Sequence, residues 1–316
     1  MRSVLITGAA GFVGAYAAEE FVRHGFKVIS LDALTYAGSL NRLANLTVGR
    51  ICNVVHDLSS PIDDATLKRI GDVSCIVHMA AESHVPRSLN DPLRCVRSNV
   101  LGTVNILEAA RRLKPDRFIY VSTDEVFGPS HGRAYACGDL LNPSNPYSAT
   151  KAGGEFVAGA YRSTFGVPVL VTRCVNMFGK KQNPEKFIPL AVKNIIGHQR
   201  VDIHTSSDGI IGSRHWAYAG DHARAIVWLS GNGVTGETYH VSRGTHMTNL
   251  EMGQRIADIL GIPWWYALVA ADRPGHDMHY DIEESALSHN WKTNESFDSL
   301  LARTVSWMRD NPGWLE

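Results

Sequence analysis

Gly8-Ala9-Ala10-Gly11-Phe12-Val13-Gly14 spaces its glycines three residues apart, directly after the apolar run 3–7 and at the start of a helical pattern over 12–24. Such a loop turns tightly and brings backbone N–H groups close to a pyrophosphate at the helix N-terminus. Asp32 closes the second apolar run. A carboxylate there accepts hydrogen bonds from an adenosine ribose and repels a 2′-phosphate. Either feature alone is also ordinary turn or capping chemistry. Together they predict a dinucleotide site that takes NAD rather than NADP. Tyr147 and Lys151 are four apart in an amphipathic stretch, so they share one face of a helix. A tyrosine titrates near ~10 when unperturbed. A nearby ammonium and a nicotinamide cation favour the phenolate, which can then act as a base near neutral pH. Ser122 and Thr123 close another apolar run, and Asp124 and Glu125 follow at once. Two adjacent acids at a strand end can form a solvated loop, or a proton-transfer pair.

These residues need a frame that brings strand ends together. Short apolar runs at 3–7, 27–31, 51–55, 75–79, 117–122 and 168–172 alternate with helical patterns such as 12–24 and 100–113. Nearly all-apolar strands alternating with helices predict a parallel sheet covered on both faces. The expected fold class is α/β: a Rossmann-type doubly wound parallel sheet with a smaller C-terminal lobe. Past Arg173 the pattern predicts helices over 184–196, 220–229 and 250–260, with few strands. Ligands of such folds bind between the lobes.

Composition excludes several classes. The 316 residues carry 31 basic and 31 acidic side chains, which implies no long-range field for nucleic acid or an anionic membrane. Five cysteines, with no C-x-x-C, predict free thiols rather than a disulfide framework. The fourteen histidines are scattered, and no metal site is expected. No apolar run approaches the ~20 residues needed to span a membrane, and no signal-peptide pattern opens the chain. The expected location is the cytoplasm.

The glycine spacing, Tyr147-x-x-x-Lys151 and Ser122-Thr123 resemble the extended short-chain dehydrogenase/reductase superfamily. Within it, the chain resembles the dTDP-glucose 4,6-dehydratase family in several stretches. They are Leu31-Asp32-Ala33-Leu34-Thr35-Tyr36-Ala37-Gly38, Ala80-Ala81-Glu82-Ser83-His84-Val85 and Ser122-Thr123-Asp124-Glu125-Val126-Phe127-Gly128. Further matches are residues 184–189, 221–225 and 271–277. The resemblance covers nearly the whole chain. It implies NAD contacts at Gly8, Gly11, Phe12, Val13, Gly14, Asp32, Leu34 and Thr35. It also implies them at Asp57, Leu58, Ala80, Ala81, Asn99, Tyr147 and Lys151. It implies a nucleoside-diphosphate hexose held by Ser83, Thr123, Asn176, Glu185, Lys186, Arg214, Asn249, Arg273 and His276. Residues 1–175, with 215–243 returning to them, would carry NAD; 176–214 and 244–316 would carry the nucleotide sugar. By the same resemblance Tyr147 oxidises the sugar at C4 with Lys151 and Thr123 in support. Glu125 removes the C5 proton, and Asp124 protonates the departing C6 hydroxyl. A homodimer is implied as well.

The chain departs from that family at Ala33, Pro86, Met177, Lys180, Lys181 and His215, and in a shorter stretch over 129–145. These positions surround the sugar and nucleotide and leave their identity open. Gly153-Gly154, inside the expected helix after Lys151, is unusual because glycine costs ~1 kcal/mol there relative to Ala. A UDP-sugar 4-epimerase or decarboxylase of the same superfamily would use Tyr147 without needing Asp124 and Glu125. A non-catalytic NAD-binding scaffold would have no need of Tyr147 and Lys151.

Overall fold

The structure, a computed structural model, describes residues 1–46, 49–130, 132–206, 208–241, 244–270 and 279–316. The first half alternates as β1 (Ser3–Thr7), α1 (Phe12–Arg23), β2 (Lys27–Asp32), β3 (Ile51–Val55), α2 (Asp64–Ile70) and β4 (Cys75–His78). Two short helices, α3 (Val85–Asn90) and α4 (Pro92–Cys95), lead through a π-helical turn at Val96–Leu101 into α5 (Gly102–Leu113). Then come β5 (Arg117–Val121), a 3-10 turn at Asp124–Phe127, α6 (Pro146–Phe165) and β6 (Val169–Cys174). The helix expected over 100–113 therefore begins earlier, through the π turn.

The second half runs β7 (Asn176–Phe178), α7 (Phe187–Ile196), β8 (Val201–Thr205), β9 (Ser213–Tyr218), α8 (Ala219–Asn232), β10 (Thr238–Val241) and β11 (Thr245–Thr248). It ends with α9 (Asn249–Leu260), β12 (Tyr266–Ala270) and α10 (Phe297–Asp310). Strands are not sparse here. The expectation failed because these strands do not present continuous apolar runs. β7 has three residues, and β8 alternates buried and exposed positions.

Seven parallel strands form one sheet in the order β10-β6-β5-β4-β1-β2-β3. Its central side chains, among them Val4, Leu5, Ile6, Ile76, Val77, Phe118 and Ile119, have no exposed surface. Helices on both faces make this burial possible, which is why the strands read as unbroken apolar runs. β1 lies between β2 and β4. The chain winds outward from it in both directions, which opens a crevice at the carboxyl ends of these strands. β10 returns the chain to this sheet beside β6, and α8 packs on α1. β11, β9 and β7 form a second, three-stranded sheet, and β8 pairs with β12. A separate core that includes Ile188, Val192, Trp216, Met252 and Leu301 fills this part. The Rossmann-type α/β class expected from the sequence is the observed one.

Candidate active site

A cleft of about 720 Å³ opens where the two sheets meet. One end is built by the loop after β1. Gly8 adopts φ +72, and a Cβ on it would sit 2.9 Å from the backbone of Ala80. A Cβ on Gly14 would meet the Gly8 carbonyl at 2.1 Å. Both positions therefore demand glycine, the first for backbone conformation and both for space. Thr7 Oγ1 accepts hydrogen bonds from the N–H groups of Met79 and Ala80 at 3.1 Å each, which fixes the Ala80-Ala81 segment against the glycine loop. Among the described residues no side chain caps the N-terminus of α1, so its first N–H groups can face an anion.

Asp32 ends β2 at the rim of this loop. Its Oδ2 accepts from Ala10 N–H and its Oδ1 from Leu34 N–H, each at 2.9 Å. Lone pairs remain on both oxygens for a ribose diol. The uncapped helix end, the glycine cradle and this carboxylate together fit a dinucleotide. Gly11, Phe12, Val13, Thr35, Asp57, Leu58, Ala80 and Ala81 line the same end. Leu34 and Asn99 do not line the cleft. Leu34 packs on the core beneath the sheet. Asn99, in the π turn, accepts from Glu82 N–H at 2.8 Å and donates to the Glu82 carbonyl at 3.0 Å and to Thr150 Oγ1 at 2.9 Å. It ties the segment after β4 to the first turns of α6.

α6 starts sharply. Asn145 and Ser148 form a capping box, with Pro146 in the first turn. Tyr147 and Lys151 thus occupy the first turns, on the face toward β5. Tyr147, Lys151, Thr123 and Glu125 line the cleft together. Thr123 Oγ1 donates to Asp124 Oδ1 at 3.1 Å and accepts from Glu125 N–H at 3.3 Å. Asp124 itself is buried behind this wall. Burial foremost, and then the neighbouring Glu125 charge, push its carboxyl up to about 7. Lys151 donates from Nζ to the Val121 carbonyl at 2.6 Å and lies 4.4 Å from the Tyr120 ring centroid. Burial lowers its ammonium to about 8.

The protein's own groups raise the Tyr147 phenol rather than favour its phenolate. Burial and the charge of Glu125 hold the phenol well above its usual value, and only a hydrogen-bonding contact with Thr123 opposes them. The ammonium of Lys151 is turned to a backbone carbonyl.

The far end of the cleft is lined by Asn176 on β7, Glu185 and Lys186 before α7, Arg214 on β9 and Asn249 at the start of α9. Ser83 stands exposed at the rim. Burial lowers the Lys186 ammonium, against the charges of Glu185 and Glu125. Arg273 and His276 lie outside the described residues. The sequence reading missed Tyr280. It is buried, its hydroxyl donates to Glu125 Oε2 at 3.5 Å, and Arg214 stacks 5.2 Å from its ring centroid. Its position just after the 271–277 motif was the available signal. Among the described residues no cluster of His, Cys, Asp or Glu could hold a metal ion, and no helix is long and apolar enough to cross a membrane. All five cysteines are free thiols.

This geometry has close counterparts. The dTDP-glucose 4,6-dehydratase of Streptomyces niveus is 37% identical over 333 residues, covering 99% of this chain and 94% of the relative. The enzyme of that name from Streptomyces venezuelae, solved with NAD and dTDP bound, superposes with a TM-score of 0.92 at 37% identity, covering 99% of both chains. The UDP-glucose 4-epimerase of Thermus thermophilus, at 24% identity and a TM-score of 0.87, shares the fold. A sequence model described as the NAD dependent epimerase/dehydratase family matches residues 4–242. With a glycine cradle at one end of its cleft and Tyr147, Lys151 and Glu125 together on its wall, this chain belongs to the NAD dependent epimerase/dehydratase family.

Proposed function

We propose that the protein is an NAD-dependent nucleotide-sugar 4,6-dehydratase that converts dTDP-glucose to dTDP-4-keto-6-deoxyglucose and water. The reading is carried by the meeting of Glu125 and Tyr147 on one cleft wall with a carboxyl, Asp124, directly behind it, which burial raises to about 7. Relatives of that name at 37% identity over almost the full chain support the substrate. Residues 1–175 with 215–243 serve the dinucleotide, and 176–214 with 244–316 serve the nucleotide sugar; β9 lies at the seam. The free thiols suit a reducing cytoplasm.

NAD in the cleft supplies the acceptor for the hydrogen leaving C4, the donor that returns it to C6, and a positive charge that favours the Tyr147 phenolate. The residues do the rest. Tyr147 takes the C4 hydroxyl proton, while Thr123 holds that part of the sugar. Lys151 is held by the Val121 carbonyl one helical turn from Tyr147 and adds positive charge. The C4 ketone acidifies C5, and Glu125 removes the C5 proton. Asp124 protonates the C6 hydroxyl as it leaves as water. Arg214 suits a diphosphate because its planar fork donates two hydrogen bonds to phosphate oxygens; Lys186, Asn249 and Glu185 complete that end.

Glu125→Gln tests the assignment, because it preserves shape and removes the base. Oxidation at C4 should continue, so absorbance of reduced cofactor builds up while water loss slows about 10²–10⁴-fold. In deuterium oxide the wild type should place solvent deuterium at C5 of a product lighter by one water. A variant that dehydrates at wild-type speed, or a wild-type product of unchanged mass, overturns the reading.

A further inference from the structure

Arg42 ends a short 3-10 turn, Leu40–Arg42, beyond β2, and only 7% of it is exposed. Its guanidinium donates to the carbonyls of Ala10 at 3.0 Å and Ala37 at 2.7 Å, both on the dinucleotide side. It also crosses to the other lobe, donating to the Lys181 carbonyl and to Asn183 Oδ1 at 3.0 Å each. The contact is returned: Lys181 Nζ donates to the carbonyls of Arg42 at 3.2 Å and Asn41 at 3.4 Å. Lys181 holds φ +61, a conformation that side chains other than glycine rarely adopt. In that conformation its carbonyl and its ammonium both face the loop after β2. Trp314 closes the far side, stacking 5.1 Å from Arg42 and donating from Nε1 to the Gln182 carbonyl at 3.0 Å.

The two cations repel each other, and Arg42 helps to lower the Lys181 ammonium, behind the larger effect of burial. Five carbonyls and the amide of Asn183 offset this, as do carboxylates at both ends of the cleft. Burial lowers the Arg42 guanidinium, whereas the charges of Glu185 and Asp32 favour its cationic form. Asp32 faces the dinucleotide end, and Glu185 lies in the loop that Lys181 anchors. A strained residue, a buried charge and a reciprocal exchange of hydrogen bonds all converge on one seam. A single lobe has no need of that arrangement.

We propose that Arg42 and Lys181 form a clasp that couples the two ends of the cleft, so that a nucleoside diphosphate at one end slows release of NAD from the other. This rests on the reading above for which ligands fill the two ends. Both residues are positioning residues: ordering the loop after β2 around NAD orders the loop that carries Glu185 and Lys186.

The test follows NAD release from the NAD-loaded protein, with and without saturating dTDP, UDP, CDP or GDP. In the wild type at least one of these should slow release by about 5-fold or more. Arg42→Gln should bring that factor below about 2, in the range where coupling is negligible, and Arg42→Lys should fall between. Lys181→Gly accepts the left-handed backbone without strain and leaves the buried guanidinium in place. It should also reduce the factor, and it decides the matter alone if Arg42→Gln does not fold. If UDP replaces dTDP as the effective ligand, the substrate reading fails and the clasp stands. No slowing in the wild type with any of the four, or an unchanged factor in folded variants, overturns the clasp.

Discussion

Asp124 owes its chemistry to burial. A carboxyl near 7 is about half protonated at neutral pH, and its protonated form can donate to a leaving hydroxyl. Water loss should therefore fall as pH rises through about 7. The same shift bears on stability. The folded value lies above the ordinary carboxyl value of 3.8, so the folded state keeps a proton that the unfolded chain releases. The stability contributed by that proton is present at low pH and is lost as pH rises from about 4 to about 7. Asp124→Asn has no proton to lose. Its melting temperature relative to wild type should rise between pH 5 and pH 8, while water loss drops about 10²–10³-fold. Thermal scans at the two pH values check the first outcome, and product formation checks the second. Equal pH dependence in both proteins would place the titration elsewhere.

At the scale of one helix, the glycine pair in α6 has two unrelated explanations. A Cβ on Gly154 would lie 2.1 Å from Tyr120 Oη, and that hydroxyl donates to the Lys151 carbonyl at 3.1 Å inside the helix. Glycine there lets α6 approach β5 closely enough to seat Tyr147 and Lys151 on the cleft wall. A Cβ on Gly153 would meet only Val100 Cγ2 at 3.5 Å, an ordinary contact. Gly154→Ala should lower the melting temperature and cut kcat at least about 10-fold, in line with losing positioned acid–base groups. Gly153→Ala should keep kcat and gain up to about 1 kcal/mol from helix propensity. Urea unfolding and steady-state rates of the two variants make the comparison. Similar losses in both would place the requirement in the helix rather than at Tyr120.

Over the whole molecule, one group of exposed large apolar side chains falls on α4, the π turn and α6. Leu93, Val96 and Leu101 are exposed, and Phe156 on α6 is 69% exposed. α6 packs against both the π turn and α5, so these side chains border one helical surface. The family resemblance implies a homodimer, and this surface is where we expect it. Light scattering should give twice 34.7 kDa, and Phe156→Glu should shift it toward the monomer mass without unfolding the protein. A monomer for the wild type at micromolar concentration would rule the dimer out.

The α/β class and the main-sheet strands of the first half were legible in the sequence because their causes are local. Apolar runs mark strands buried on both faces, and Gly8 and Gly14 mark a turn that only glycine can make. The acid at the end of β2 and the Tyr-Lys spacing are likewise short-range patterns. What the tertiary structure alone decided is what those residues face. The hydroxyl of Tyr280 reaches Glu125 across 155 positions of chain, and Arg42 meets Asn183 across 141. The buried carboxyl of Asp124, the raised phenol of Tyr147 and the turn of Lys151 toward Val121 depend on neighbours from other strands. β7 and β11, of three and four residues, became strands by pairing with β9. Periodicity and turn chemistry are written into adjacent residues, whereas desolvation and partnership arise only when distant segments exclude water from one another.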